Sequence, residues 1–300
     1  MALVMDGHAT NQAMVGELGG SLRVNNFGTY FNHPSNDSWK VYIFFDACHM
    51  LKLVRNMLQV TKDLAIPSMG TVNWSYIEKL NELQESEGLR AANKLTTAHV
   101  QFHQQKMNVK LAAQTLSSSV AKALEFQYLN KCLGFEDCMA TSKFISMVDH
   151  MFDIFNSRTP KASGYKKPLT AKSVIATRAF LQDCKKCLLS RSDSTVKRIS
   201  ESRRHLSALG FVVNIDSLLA MSQEIFDSSS QYCQKYLLTY KLSQDHLELY
   251  FSSVRRYGGW NNNPSAKQFS YAYRALLKHA SVSAATSRNF LQQDHTVLMH

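Results

Sequence analysis

The apolar positions fall into three successive patterns along the 300 residues. The first mixes extended and helical signals. ALVMDG, at residues 2–7, reads as a short strand ending in a turn. NQAMVGELGG predicts a helix of about two turns, stopped by Gly19 and Gly20. Residues 25–38 (NNFGTYFNHPSNDS) are rich in Asn, Ser and Gly and read as loop. VYIFFD is a continuous apolar run, as in a strand buried on both faces. CHMLKLVRNMLQVTKDL then has helical spacing. Strand, helix, central strand and helix in that order predict an α/β layer with parallel character.

The second pattern, from about Glu78 to Lys235, is helical. Val109, Ala113, Leu116, Val120 and Leu124 mark one apolar stripe. Phe144, Val148, Met151, Phe152 and Phe155 mark another. Loops such as NSRTPKASGYKKP separate the stripes, and no internal repeat is evident. In the third pattern, polar capping residues precede a helix with Leu247, Tyr250, Phe251 and Val254 on one face. Gly258 and Gly259 break it. Asn263 and Pro264 cap and open a further helix with Phe269, Tyr273 and Leu276 on its buried side. The expected fold is α/β plus all-α.

The formal net charge of +11 favours an anionic partner. Nucleic acid fits better than a membrane, because no long basic amphipathic helix has a clear lipid face. No run of about 18 apolar residues predicts a transmembrane helix, and the first residues do not read as a secretory signal. Residues 178–205 hold eight Lys or Arg, among them Lys185, Lys186, Lys197, Arg198, Arg203 and Arg204, against three acids. This is either a phosphate-contacting surface or a solvated helix face with a basic loop. Cys184 and Cys187 form a lone CxxC in an apolar-periodic segment with Leu181 and Leu188. Zinc needs four ligands, so core packing is the stronger reading. A reducing compartment is the default.

Two carboxylates stand out. Asp46 ends the buried strand, where open α/β sheets place their sites, and the next helix carries His49, Lys52 and Arg55. Asp46 is either a functional carboxylate or the cap of that helix. Glu248 follows Asp245 by three residues, which is also a capping-box pattern. There is no GxxxxGK[ST], so a P-loop is excluded, and NKLT only half resembles a guanine-reading motif.

FFDACHMLKLVRN, KLAAQTLSSSVAKALEF and YLLTYKLSQDHLELYFSSVRRYGGWNNNPSAKQF, in this order, resemble the P-element-type transposases, close to the THAP domain-containing protein 9 group. The resemblance implies an RNase H-like domain interrupted by an all-helical, GTP-binding insertion. It divides the chain into residues 1–76 (partial RNase H-like), 77–235 (insertion) and 236–300 (closing part). It implies that Asp46 and Glu248 are catalytic and hold Mg²⁺ for strand cleavage and transfer. For GTP it implies Phe152 stacking on the base, Asp153, Asn156 and Asp245 as polar contacts, and Lys94, Val109 and Ser117 completing the set. DNA, as transposon ends and target, is the implied partner and the nucleus the implied location. Oligomeric state stays open, a homo-oligomer included.

The family also carries an N-terminal zinc-coordinating DNA-binding domain and a first catalytic Asp, neither of which is found here. Asp6 is set aside, because the strand order makes ALVMDG the third RNase H strand. Ala47 stands where relatives often have Pro. The expectation is therefore an N-terminally truncated core that is inactive alone, which leaves open whether the chain is an enzyme. A domesticated DNA- and GTP-binding module and a helical protein-interaction scaffold are the alternatives.

Overall fold

The computed structural model describes residues 1–23, 26–90, 93–193, 205–229, 233–261 and 263–278. Contacts divide the chain into two compact units, Met1–Ser243 and Gln244–His300.

The first unit begins with β1 (Ala2–Met5), α1 (Ala9–Glu17), β2 (Leu22–Arg23), β3 (Asn26–Phe27), β4 (Tyr30–His33), β5 (Asn36–Phe45) and α2 (Ala47–Thr61). One sheet has the order β1-β5-β4, and β2 pairs with β3 separately. β1 runs parallel to β5, from Ala2 opposite Tyr42 to Met5 opposite Phe45. β4 is antiparallel to β5. Val41–Phe45 are buried, as the apolar run predicts. Residues 25–38 are not a loop: they hold β3, β4 and the start of β5. Backbone pairing needs no apolar run, and β4 buries only Phe31.

The chain continues through β6 (Asp63–Ile66), β7 (Gly70–Asn73), α3 (Ser75–Glu87), α4 (Thr97–Val100), α5 (Val109–Thr115), α6 (Ser118–Leu129), α7 (Met139–Phe155), α8 (Ser173–Ser190), β8 (Ser192–Asp193) and α9 (Leu206–Ile225). β6 pairs with β7 and β8, so the middle of the chain is not wholly helical. Gly70, at φ +104°, supplies the left-handed turn residue between β6 and β7. Leu64, Ile66 and Val72 alternate inward along the hairpin.

The expected stripe from Val109 to Leu124 is two helices, not one. α5 stops at Thr115, whose hydroxyl bonds to the Leu111 carbonyl, and α6 restarts after Ser117. The phase resets there, so Ala112 is buried and Ala113 only half-buried. On α7 all five expected residues are buried. α9 is apolar all round and packs against β5, α2 and α8, the position such a helix requires. By length and composition α9 could cross a membrane, but 78% of its apolar window is buried inside the protein. Gly210 lets it approach α2, since a Cβ there would lie 2.0 Å from Met50 Sδ.

The second unit contains α10 (Asp245–Tyr257) and α11 (Ala266–Lys278). Their expected apolar faces are incomplete, because Leu247, Phe251 and Tyr273 are exposed. Tyr250 instead meets the edge of Tyr273, 6.3 Å away between ring centroids, and Phe269 stacks on Tyr273. Ser265, not Asn263 or Pro264, caps α11. Its hydroxyl accepts from Gln268 N at 3.3 Å while Gln268 Oε1 accepts from Ser265 N at 2.9 Å, a reciprocal box.

Candidate functional site

The parallel pairing of β1 and β5 decides the geometry of the first candidate site. Met5 and Phe45 are opposite each other, so Asp6 and Asp46 each follow the last residue of adjoining strands. Asp46 N donates to the Met5 carbonyl at 2.8 Å. Neighbouring strands lie about 4.8 Å apart, so the backbones of Asp6 and Asp46 leave adjoining strand ends at the C-terminal edge of the sheet. Asp6, set aside on strand order, lies at the end of β1, and β1 is the direct parallel neighbour of the strand that carries Asp46.

Each carboxylate is held locally. Asp46 caps α2 by accepting from His49 N at 2.8 Å and is buried. The cap and the strand-end position coexist at Asp46. Asp6 accepts from His8 N at 3.0 Å and from Asn11 Nδ2 at 2.6 Å. Partial burial pushes its carboxyl up, but these bonds, with His49 and His8 nearby, outweigh that and hold it below the usual range. His49 feels both acids. Burial and then Lys52 nevertheless pull its imidazole down, against Asp46 and Asp6. Gly7 keeps the backbone open here: a Cβ on it would lie 2.0 Å from Leu206 Cδ2 and 3.8 Å from His49 Nε2.

The end of β5 is fixed from a distant helix. β4 pairs with β5 only as far as Tyr42, beyond which Ile43 N donates to the Thr29 carbonyl. Among the described residues, no strand pairs with Phe45 on that side. Asn214 of α9 replaces one: its Oδ1 accepts from Phe45 N at 2.7 Å and its Nδ2 donates to Phe45 O at 2.8 Å. Arg55 does not join the site. It is wholly buried, its guanidinium 3.7 Å from the Phe102 ring centroid, with Nη2 donating to the Lys106 carbonyl.

Glu248 and Asp245 lie on α10 in the second unit. They do not form a capping box, because Gln244 is the N-cap and Asp245 already the first helical residue. Glu248 is exposed in the first turn, where a helix N-terminus favours negative charge.

The proposed nucleotide contacts in the first unit are only partly assembled. Phe152, Asp153 and Asn156 share the end of α7. Phe152 is buried in the core. Burial, then Asp149, pushes the Asp153 carboxyl up to about 6, against Lys166, whose Nζ is 3.8 Å away. Asn156 accepts from Arg158 Nε at 3.0 Å. Ser117 leads into α6, and the next residue joins it to α7, Ser118 N donating to Asp149 at 3.0 Å. Val109 is buried and Lys94 exposed in the loop before α4.

The basic stretch is less free than its composition suggests. Lys185 pairs with Asp216, Lys186 with Asp183, and Arg191 is fully buried. Lys197, Arg198, Arg203 and Arg204 lie outside the described residues. Cys184 and Cys187 are buried on α8, in line with packing.

Comparison with known proteins gives this geometry a family context. Residues 48–168 match the TNP-like, GTP-binding insertion domain, and residues 240–274 match the TNP-like, RNase H C-terminal domain. The chain is 31% identical to the DNA transposase THAP9 of Homo sapiens over 92% of its own length and 30% of that protein's. It is 28% identical to the Transposable element P transposase of Drosophila melanogaster, over 92% of its length and 35% of that protein's. It therefore spans about a third of these curated relatives. The solved Drosophila P element transposase strand transfer complex matches with a TM-score of 0.76 and 28% identity, over 91% of this chain and 59% of that one. The fold is thus a mixed, helix-rich one like that of the solved transposase, and the chain is a homologue of the P-element-type transposases over 92% of its length.

Proposed function

We propose that this chain forms part of a P-element-like DNA transposase core that cuts and joins DNA strands with a divalent metal. The observation that supports this reading is that Asp6 and Asp46 directly follow the paired last residues of two adjoining parallel strands, β1 and β5. On this reading residues 1–76 and 236–300 belong to an RNase H-like domain and the stretch between them to the insertion. Glu248 is a further catalytic carboxylate by family resemblance.

The donor set fits Mg²⁺, which takes oxygen ligands and few protein carboxylates. Asp6, Asp46 and, by resemblance, Glu248 would hold it. A bound divalent ion supplies Lewis-acid stabilisation to the attacking and leaving oxygens. The chain's own residues do the rest. His49 N and Asn11 orient the carboxylates, and Asn214 holds the strand end. Lys52 adds positive charge suited to a phosphodiester beside the site. GTP bound through Asp153, Asn156 and Ser117, DNA as substrate, and work in the nucleus follow as parts of the same reading.

Mn²⁺ titration of the folded chain, followed by electron paramagnetic resonance, tests the centre. Binding that weakens in both Asp6→Asn and Asp46→Asn supports it, and binding unchanged in both overturns it. A strand-transfer assay with Mg²⁺ or Mn²⁺ then tests chemistry. Salt-dependent DNA binding without metal-dependent cleavage would identify a non-catalytic DNA-binding module instead.

A further inference from the structure

A second cluster lies between α7, α8 and the β6–β7 turn, away from the strand ends. The lining of a cavity of about 490 Å³ includes five sulfur side chains, Met69, Met139, Met147, Cys184 and Cys187, alongside polar groups such as Lys143, His150 and Asp183. Cys184 and Cys187, three residues apart on α8, face it from the same side of the helix. Met69 reaches it from the turn, and Cys187 Sγ lies 3.9 Å from Met69 Sδ. A metal with bonds of about 2.3 Å to sulfur, coordinated in a trigonal plane, holds its ligands about 4.0 Å apart. The Cys187–Met69 separation matches that spacing.

A second, independent feature adjoins the thiols. Arg191, one helical turn beyond Cys187, is completely buried. Its Nη2 donates to Ser207 Oγ at 3.0 Å, while Nε and Nη1 have no partner. A buried guanidinium without a counter-charge is expensive.

We propose that Cys184, Cys187 and Met69 form a binding site for a soft monovalent cation, Cu(I), with Arg191 balancing the charge of the bound dithiolate. Soft thiolate and thioether ligands favour Cu(I), zinc and iron–sulfur clusters over hard cations. Two thiols give up two protons as one Cu⁺ binds, leaving a net charge of −1 on the complex, which the guanidinium neutralises. Zinc fits less well, because its structural sites take four ligands drawn from Cys, His and Asp or Glu, whereas three sulfur ligands suffice for Cu(I).

The test uses the full chain with Cys132→Ser and Cys233→Ser, which removes the half-buried and the exposed cysteine. Cu(I) is titrated without oxygen against a chromogenic chelator. The expected result is one equivalent bound, a near-ultraviolet thiolate-to-copper band, release of two protons, and X-ray absorption showing sulfur ligands only. Met69→Leu keeps the core volume and is expected to weaken binding on the order of tenfold or more with the band retained. Arg191→Met is expected to weaken it about 10–100-fold, as loss of an outer-shell partner does. Failure to bind Cu(I) overturns the proposal. So does equal binding by the Cys184→Ala/Cys187→Ala variant, or affinity unchanged in Met69→Leu, which folds without needing either cysteine altered.

Discussion

Replacing Asn214 with alanine tests whether one amide side chain sets the end of the strand that carries Asp46. Both of its hydrogen bonds to Phe45, at 2.7 and 2.8 Å, are buried. A buried hydrogen bond contributes about 1 kcal/mol net, and an orphaned buried N–H or C=O costs about 1–3 kcal/mol. Alanine orphans two backbone groups at once, so the expected loss is about 2–5 kcal/mol. That is a large share of the ~5–15 kcal/mol that holds a typical domain together. Leucine fills the volume but cannot bond, so Asn214→Leu separates bonding from packing and is expected to lose nearly as much. Urea unfolding followed by tryptophan fluorescence reads the loss as a lower midpoint at unchanged slope. Hydrogen exchange of the Phe45 amide reads it locally, as faster opening at the end of β5. The reasoning is refuted if Asn214→Leu unfolds within about 0.5 kcal/mol of the parent, the range of ordinary surface changes.

Three further outcomes follow from named contacts. The Asp153 carboxyl is pushed up to about 6 from 3.8. Its raised folded value means stability is full below the unfolded pKa and is lost as pH rises towards 6, so Asp153→Asn is expected to flatten the stability–pH curve between about 4 and 6 and to stabilise the protein at neutral pH, as urea midpoints across that range would show. Gly210→Val drives a methyl-bearing Cβ into Met50. A loss of about 1–3 kcal/mol is expected, with partial rescue by Met50→Ala in a double-mutant cycle, and additive effects would count against the close approach. Burial pushes Cys184 up to about 12 and Cys138 to about 11. A thiol reagent at pH 8 is therefore expected to modify Cys233 and Cys132 quickly and the other four cysteines only on unfolding, as mass spectrometry of labelled peptides would show.

The amino-acid pattern alone carried much of the local structure. VYIFFD announced β5, the helical spacing after it announced α2, and all five apolar residues of the Phe144–Phe155 stripe are buried on α7. The shared reason is that a two- or 3.6-residue period records which face of a segment is buried. The same reasoning failed where local rules end. A stripe continued through Leu116 and Ser117 could not show that the helix phase resets there. Arg55 follows Asp46 on the next helix, but sequence does not say that Phe102 and the Lys106 carbonyl enclose it.

At the strand ends the division is sharpest. The sequence by itself determined that Asp46 ends a buried strand and stands just before a helix. Only the tertiary structure decided that β1 is the parallel neighbour of β5, which sets Asp6 beside Asp46. It alone supplied Asn214, 169 positions away, as the substitute for a missing strand. Strand adjacency is a choice among nonlocal pairings of similar local pattern, and it is made by the packing of α2 and α9 against the sheet rather than by any residue's own propensity.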